Sequence, residues 1–359
     1  MREEIVRLQA LLSQENVDAI LLQDKVQKAY FGTMTGSGCT VFITKTEAFL
    51  IVDGRYFLQA KKNEQDLEII LWDEEKEHMD RYAWIEKYCR RNRIQTMAIE
   101  DSIAVNRYIQ LQKFVNVVFF QEQLLRLRCI KRKNEIKKIR KACQITDEVF
   151  DAVIRTIRCG MTDFEISGRL YYEAMRRGAE KASFDPIIGL GQTSAFPHHR
   201  PDGSIVKKNE IILIDFGFQF EGFQSDMTRV CAIGTPSDKI LELYEIVYRA
   251  NRAGLSAMRA GNLCKNVDKA ARDVIVQAGY GKFFTHGLGH GIGRDNSTEL
   301  PKVNSSSEMR LEEGMTMSCE PGIYLEDVGG IRIEDVVLIE NGVGIALSRT
   351  AREIHRIKE

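Results

Sequence analysis

Four carboxylates and one imidazole carry the chemical information in this chain: Asp215, Asp226, His290, Glu320 and Glu334. They stand in the segments IILIDFG, SDMTR, HGLGHGIG, SCEPGIY and GIRIED, and no cysteine belongs to the set. Oxygen-rich donors with a single imidazole suit two hard-to-borderline divalent cations rather than a structural zinc. Two such cations polarise a carbonyl and activate water, so the set points to a dinuclear metallohydrolase.

To act together, the five must be carried to one place. Asp215 follows the apolar run 211–214, and Asp226 lies beyond the turn residues Phe220, Glu221 and Gly222. A hairpin centred there would set the two carboxylates opposite one another, on one face of neighbouring strands. Glu320 and Glu334 repeat the pattern around Asp327, with Gly329 and Gly330 as turn residues. Two acidic hairpins facing each other could hold two cations roughly 3.5–4 Å apart, and they imply a weak internal duplication. A lone aspartate after an apolar strand is ordinarily a cap or turn residue. Four acids in two hairpins, joined by a histidine in a glycine-rich turn, go beyond that reading.

His286 and His290 have the spacing of a zincin helix, but the HExxH glutamate is missing. Glycines at 287, 289, 291 and 293 also disfavour a helix. These glycines fit GxGxxG in neither register; instead they let backbone approach a crowded site. Strand alternation turns Cys319 away from Glu320 and into the core. His198 and His199 occupy a turn-rich loop, where surface histidines are common. His78, in an acidic stretch, and His355, near the C-terminus, receive no role.

A chain of 359 residues calls for two domains. Its 51 basic and 51 acidic side chains balance to zero formal charge, which argues against a broad nucleic-acid-binding face. No apolar run approaches the roughly 18 residues of a membrane span, so no membrane partner is expected. The charged start Met1-Arg2-Glu3-Glu4 has no signal-like apolar core. Eight cysteines without CxxC spacing read as buried thiols of a reducing compartment, and the expected location is cytoplasmic.

In residues 1–125, Ile5, Leu8, Leu11 and Leu12 recur at helical spacing, and strands are expected over 19–22, 40–43, 49–52, 69–72 and 96–99. Gly54 breaks the strand over 49–52. The alternation predicts a small α/β domain with a mixed or parallel sheet and no nucleotide fingerprint. Residues 126–359 predict an α+β domain, with helices covering a curved antiparallel sheet. Ile136, Ile139, Cys143, Thr146, Phe150, Val153 and Ile157 form one face of a long helix that Gly160 would stop. Thr162 and Glu165 make a capping box for the next helix, which Gly178 closes. Two further helices are expected over 238–259 and 267–278. The basic run from Lys131 to Lys141 reads as the solvated face of the long helix rather than an anion site.

IDFG with SDMTR, HGLGHGIG, EPGIY and GIRIEDVVLI resemble the motifs of the Xaa-Pro aminopeptidase and prolidase family, in the same order. GSGCTVFIT and VDGRYFLQA resemble segments of that family's smaller domain, so the resemblance spans nearly the whole chain. It implies a creatinase-like α/β domain ahead of a pita-bread catalytic domain. The implied activity is hydrolysis of the Xaa-Pro bond in short proline-containing peptides, by a hydroxide held between two divalent cations. Mn²⁺ is the leading cation, with Co²⁺, Zn²⁺ and Fe²⁺ left open by ligand type. By the same resemblance Asp215 and Asp226 ligate one cation, with Asp226 bridging. His290 completes the other, and Glu320 and Glu334 contribute to the pair while Glu320 shuttles a proton. His198 would help at the leaving nitrogen or the carbonyl, and His286 would line the proline pocket. Arg332 would orient the carboxylates or the substrate, or be an ordinary ion pair beside an acidic site. A homodimer is a further expectation from the family.

One stretch departs from the pattern. Where the family has xxHExP after GHGIG, this chain has GRDNSTELP over 293–301, with one extra residue. Ser297 or Thr298 therefore stands in the histidine's place. A hydroxyl donates a hydrogen bond but is neither a cation nor a proton carrier here. The departure motivates a second reading, a dinuclear hydrolase of non-proline peptides or small amides. A third is a catalytically silent pita-bread module that binds peptide or protein partners. Silence would be marked by lost metal ligands, and this chain keeps all five.

Overall fold

A computed structural model describes residues 2–72 and 81–357 and divides the chain into two units, Met1–Leu127 and Arg128–Glu359. His78 lies outside the described residues. In the first unit the elements run α1 (Glu3–Gln14), β1 (Ala19–Leu22), α2 (Lys25–Phe31), β2 (Cys39–Thr44), β3 (Ala48–Asp53), α3 (Gly54–Asn63), β4 (Glu68–Trp72), α4 (Arg81–Asn92), β5 (Thr96–Ile99), α5 (Val105–Leu111) and β6 (Asn116–Phe119). The six strands make one sheet in the order β4-β3-β2-β1-β5-β6. The sheet is mixed: β2 is antiparallel to both neighbours, and the outer pairings are parallel.

Both faces of this sheet are covered, which is why its central strands are apolar throughout rather than alternating. Ile20, Leu22 and Val41 pack with Ile5, Leu8 and Leu12 of α1. Leu21, Phe42 and Phe49 pack the other way, with Tyr82, Ile85 and Cys89 of α4. Gly54 does more than break β3. It is the first residue of α3, whose N-cap Asp53 accepts the Arg55 N–H at 2.9 Å.

After α6 (Gln121–Cys129) come α7 (Lys133–Ile154), α8 (Asp163–Arg176), α9 (Asp238–Ala257) and α10 (Cys264–Gln277). The strands of this second unit are β7 (Lys181–Ala182), β8 (Ile187–Leu190), β9 (Ile211–Phe216), β10 (Phe218–Phe220), β11 (Phe223–Gln224), β12 (Met227–Ile233), β13 (Thr316–Cys319), β14 (Gly322–Leu325), β15 (Gly329–Arg332), β16 (Asp335–Glu340), β17 (Val343–Ala346) and β18 (His355–Ile357). Among the described strands here pairing is antiparallel, except that β18 lies parallel to β12.

α7 buries Ile139, Cys143, Thr146, Phe150 and Val153 along the expected face. It ends at Ile154, ahead of Gly160, whose φ of 86° serves the turn before α8 rather than the helix stop. α8 opens on the Thr162–Glu165 capping box. It closes with Gly178 at φ 84°, where the N–H groups of Gly178 and Ala179 bond back to Met175 and Ala174. The basic run is not wholly solvated. Lys131 is buried and donates to the Cys129 carbonyl at 3.2 Å, while Lys138 and Arg140 pair with Glu221 and Glu340.

The first acidic hairpin turns at Glu221 and Gly222, which take φ of 45° and 78°, the left-handed pair that a two-residue hairpin loop favours. Its register places Asp215 opposite Thr228, not opposite Asp226. Asp226 comes instead opposite Gly217, so the two acids are diagonal neighbours on one face. The reason is the turn: its centre lies after Glu221, which moves every partner along the strand. In the second hairpin the pairs Gly322–Arg332 and Cys319–Asp335 belong to one register, and that register carries Glu320 opposite Glu334 as expected. Its turn, however, is 326–328. Gly329 and Gly330 lie within β15, where a Cβ on Gly330 would stand 2.1 Å from the Ser194 carbonyl oxygen.

One buried ion pair ties the two hairpins together. Arg229 of β12 and Asp335 of β16 are both fully buried, with Nη2 2.7 Å from Oδ1. Arg229 also donates to the carbonyls of Thr228 and Thr350 at 2.9 Å, and Arg352 meets the second Asp335 oxygen at 2.6 Å. Removing one partner strands a buried charge, which costs about 3–5 kcal/mol. Asp335→Ala is therefore expected to lower unfolding stability by about that amount in urea titrations. A loss below about 1 kcal/mol would show that the pair does not hold the hairpins.

Candidate active site

Three of the four acids owe their positions to places where a strand ladder stops or turns. Asp215 sits within β9, while Asp226, Glu320 and Glu334 occupy the breaks before β12, after β13 and before β16. Released from the ladder, their backbones bond sideways. The Glu320 N–H reaches the Leu288 carbonyl at 2.8 Å, and the Glu334 N–H reaches that of Thr228 at 3.2 Å. From α9, buried Asn251 donates to the carbonyls of Cys319 and Ile333 at 3.1 and 3.2 Å. One side chain thus fixes the residue before each glutamate. Cys319 itself is core, as strand alternation requires.

His290 arrives on an extended segment laid against β13. Ser318 N–H bonds to the His290 carbonyl at 2.8 Å, and Ile292 N–H to that of Thr316 at 2.9 Å. The flanking glycines make this approach possible: a Cβ on Gly289 would stand 2.2 Å from the Ser318 oxygen, and one on Gly291 2.3 Å from that of Leu300. His290 Nδ1 faces the Gly291 carbonyl at 3.1 Å, which holds the proton there and leaves Nε2 as a lone-pair donor. That Nε2 is 3.3 Å from Glu320 Oε1 and 3.7 Å from Asp226 Oδ2.

These distances suit donors sharing a cation, since bonds of about 2.1 Å at common angles leave ligand atoms roughly 3.0–3.5 Å apart. Ligand atoms of Asp226, His290 and Glu334 all lie within 4.8 Å of one another. Asp215 Oδ1 is buried without a hydrogen-bond partner, an acceptor aimed into the cluster with nothing from the protein to meet it. Burial, then the neighbouring carboxylates, pushes Asp226 and Glu334 well above the usual carboxylate range. Burial likewise pushes Glu320 up to about 7. Crowded anions with an orphaned oxygen are the electrostatic complement of divalent cations, and the residues present fit them.

The remaining candidates border the same space. Arg332 is buried: it pairs with Asp215 Oδ2 and donates to Tyr324 Oη at 2.9 Å and to Thr228 Oγ1 at 3.1 Å. The Thr228 hydroxyl in turn donates to Glu334 Oε2 at 2.7 Å. Tyr324 Oη meets His286 Nε2 at 2.8 Å. Burial pulls His286 down to about 4, so its ring is neutral over the physiological range. One cavity of about 260 Å³ is walled by His198, His286 and Arg332 with Asp215, His290 and Glu320. A second, of about 330 Å³, shares His198, Asp215, His290 and Glu320 and adds Asp226, Glu334, Asn296, Ser297 and Lys302. All five proposed ligands and His198, His286 and Arg332 thus meet at two adjoining lobes.

Tyr324, Thr228, Asn251 and Asn296 were not picked out by sequence. Tyr324 and Thr228 stood in view, within EPGIY and SDMTR, but only the fold shows that Tyr324 bonds to Arg332 and that Thr228 stands opposite Asp215. His199 is buried beside Asp163 rather than in the two lobes, and His355 packs edge-on against Phe150.

The departing loop is locally well held. Glu299 forms a buried ion pair with Arg128 at 3.2 Å and accepts the Arg294 N–H at the same distance. Asn296 donates to Asp226 Oδ2 at 3.2 Å. Ser297 and Thr298 both bond to Asp295, but only Ser297 borders the second lobe.

Comparison with known proteins agrees with this architecture. Residues 137–341 match the model of metallopeptidase family M24, and residues 5–130 that of the creatinase/prolidase N-terminal domain. The chain is 33% identical over 358 residues to an Xaa-Pro dipeptidase of Pyrococcus horikoshii, covering 99% of each. Its fold superposes on an Xaa-Pro dipeptidase from Bacillus anthracis with a TM-score of 0.93, at 32% identity and 99% coverage of both chains. An X-Pro aminopeptidase from Thermotoga maritima gives 0.88 at 32% identity, over 95% of this chain and 98% of that one. With an α/β creatinase-type domain followed by a pita-bread domain that gathers these acids and histidines, the chain belongs to metallopeptidase family M24.

Proposed function

We propose that the protein hydrolyses the Xaa-Pro bond of short peptides, with dipeptides as the preferred substrate. The observation that carries the reading is the union of the five-residue ligand set with an adjoining lobe walled by the neutral ring of His286. Asp215, Asp226, His290, Glu320 and Glu334 would hold two divalent cations, Mn²⁺ first among Co²⁺, Zn²⁺ and Fe²⁺, as Lewis acids for the scissile carbonyl and for water. The chain's own groups do the rest. Glu320 takes the proton of the attacking water and passes it towards the leaving nitrogen. His198, on the wall shared by both lobes, donates to the carbonyl oxygen or that nitrogen.

A prolyl nitrogen has no N–H, so its side of the site needs shape more than acceptors. Neutral His286, edge-on to Phe284 at 5.1 Å and tilted against Tyr324 at 5.6 Å, offers a flat wall of that kind. Arg332 holds Asp215 and Tyr324 in place. Lys302 borders the second lobe, its ammonium donating to the Ser297 carbonyl at 2.9 Å, and could also pair with a free C-terminal carboxylate. That pairing, and relatives matched over their whole length that bear the name dipeptidase, support the shorter substrate. Seven buried thiols suit a reducing cytoplasm, and a homodimer follows from the family resemblance.

Chelator-stripped protein should cleave neither Ala-Pro nor Ala-Pro-Ala, and Mn²⁺ should restore cleavage, faster for Ala-Pro, with Ala-Ala untouched. Restored cleavage of Ala-Ala alone would overturn the proline reading in favour of a dinuclear hydrolase with another substrate. Asp226→Asn should keep the wild-type melting temperature while losing more activity than the about 10–100-fold cost of an outer-shell partner. Normal turnover in that variant sinks the ligand assignment. Because Ser297 borders the cavity and Thr298 does not, Ser297→His should raise kcat for Ala-Pro whereas Thr298→His should leave it unchanged. An equal response at both positions contradicts the loop geometry.

A further inference from the structure

His199 has no part in the chemistry above, yet its surroundings are organised. Its side chain is 8% exposed, and Nε2 is buried without a hydrogen-bond partner, 3.7 Å from Asp163 Oδ2. That separation is too long for a hydrogen bond, and an unpaired buried nitrogen is costly. Ligand atoms of Asp163, His199 and Asp202 lie within 4.8 Å of one another.

Both carboxylates are already aimed. Asp163, fully buried at the start of α8, accepts the N–H of Phe164 at 2.7 Å and of Gly203 at 3.1 Å on Oδ1, and that of Asp202 at 2.9 Å on Oδ2. Asp202, exposed, is oriented by the Ser204 N–H at 2.9 Å and hydroxyl at 2.6 Å, both on Oδ1. A carboxylate has about four acceptor positions, so each retains lone pairs after these bonds. Two pre-oriented carboxylates and an imidazole whose free nitrogen faces them are the donors a borderline divalent cation takes, with water at the remaining position.

We infer that Asp163, His199 and Asp202 form a second, separate site for one divalent cation of the Zn²⁺ or Co²⁺ kind. The ligands join the start of α8 to the loop that presents His198, the residue immediately before His199. A cation there would pin that loop from behind, outside the catalytic ligand set. The alternative is an imidazole simply buried beside Asp163.

The test counts bound metal rather than activity. Full-length protein, stripped with chelator, loaded with Zn²⁺ and gel-filtered, is compared with His199→Gln, Asp202→Asn and Glu334→Gln. His199→Gln and Asp202→Asn should each carry about one equivalent less zinc than wild type, through at least a 10-fold loss of affinity. Zinc should also raise their melting temperature less than it raises that of wild type. Asp202 is exposed, so Asp202→Asn keeps the test valid if His199→Gln folds poorly. Glu334→Gln should lose zinc from the catalytic set while still responding to an added Asp202→Asn, which separates this site from the reading under Proposed function. Equal zinc content and equal zinc-dependent melting in wild type, His199→Gln and Asp202→Asn would overturn the proposal and leave the buried imidazole alone.

Discussion

The second unit is organised around a repulsion. Asp215, Asp226, Glu320 and Glu334 share cavity walls, and charges of one sign held together away from water oppose folding unless the scaffold resists them. The resistance is local and comes from backbone hydrogen bonding. Three of the four acids sit where a ladder breaks, and the backbone on each side is fixed by ordinary strand pairing. Positive charge is placed sparingly: Arg332 meets Asp215 directly, whereas Arg229 is engaged by Asp335, one residue beyond Glu334. The remaining negative field is uncompensated by the protein, and that imbalance suits the cavity to cations rather than to an ion-pair network.

Much of this was legible in residue order. The period of α7, the capping box of α8 and the pairing of Glu320 with Glu334 follow from spacing alone, because each depends on neighbours close in sequence or on a symmetric hairpin. The register around Asp215 did not follow. Phe220, Glu221 and Gly222 allow more than one turn centre, and only the left-handed pair Glu221–Gly222 selects the observed one. Gly329 and Gly330 misled in the same way: they resemble turn residues, yet they are small because the turn from Gly191 to Ser194 passes over them. Contacts such as Asn251 with Cys319 and Ile333 join residues far apart in sequence, and no local pattern announces them.

The loop over 293–301 shows how a motif can change without releasing its neighbours. Between Gly293 and Pro301, Glu299 is anchored to Arg128 and Asn296 to Asp226. The Asn296 anchor meets one of the candidate ligands, while Ser297 lies on the cavity wall. Specificity can diverge there while the ligand geometry stays under the control of β9, β12 and the β13–β16 hairpin.

The sideways bonds at the strand breaks carry a consequence for how such a protein is made. Glu320 and Glu334 each donate a backbone N–H to a neighbouring segment, and His290 is tied by main-chain bonds to β13. The ligands are therefore seams of the sheet system, and the bonds that hold them belong to the polypeptide itself. Main-chain bonds form without any ion, so the frame around the cavity owes its hydrogen bonding to the polypeptide alone.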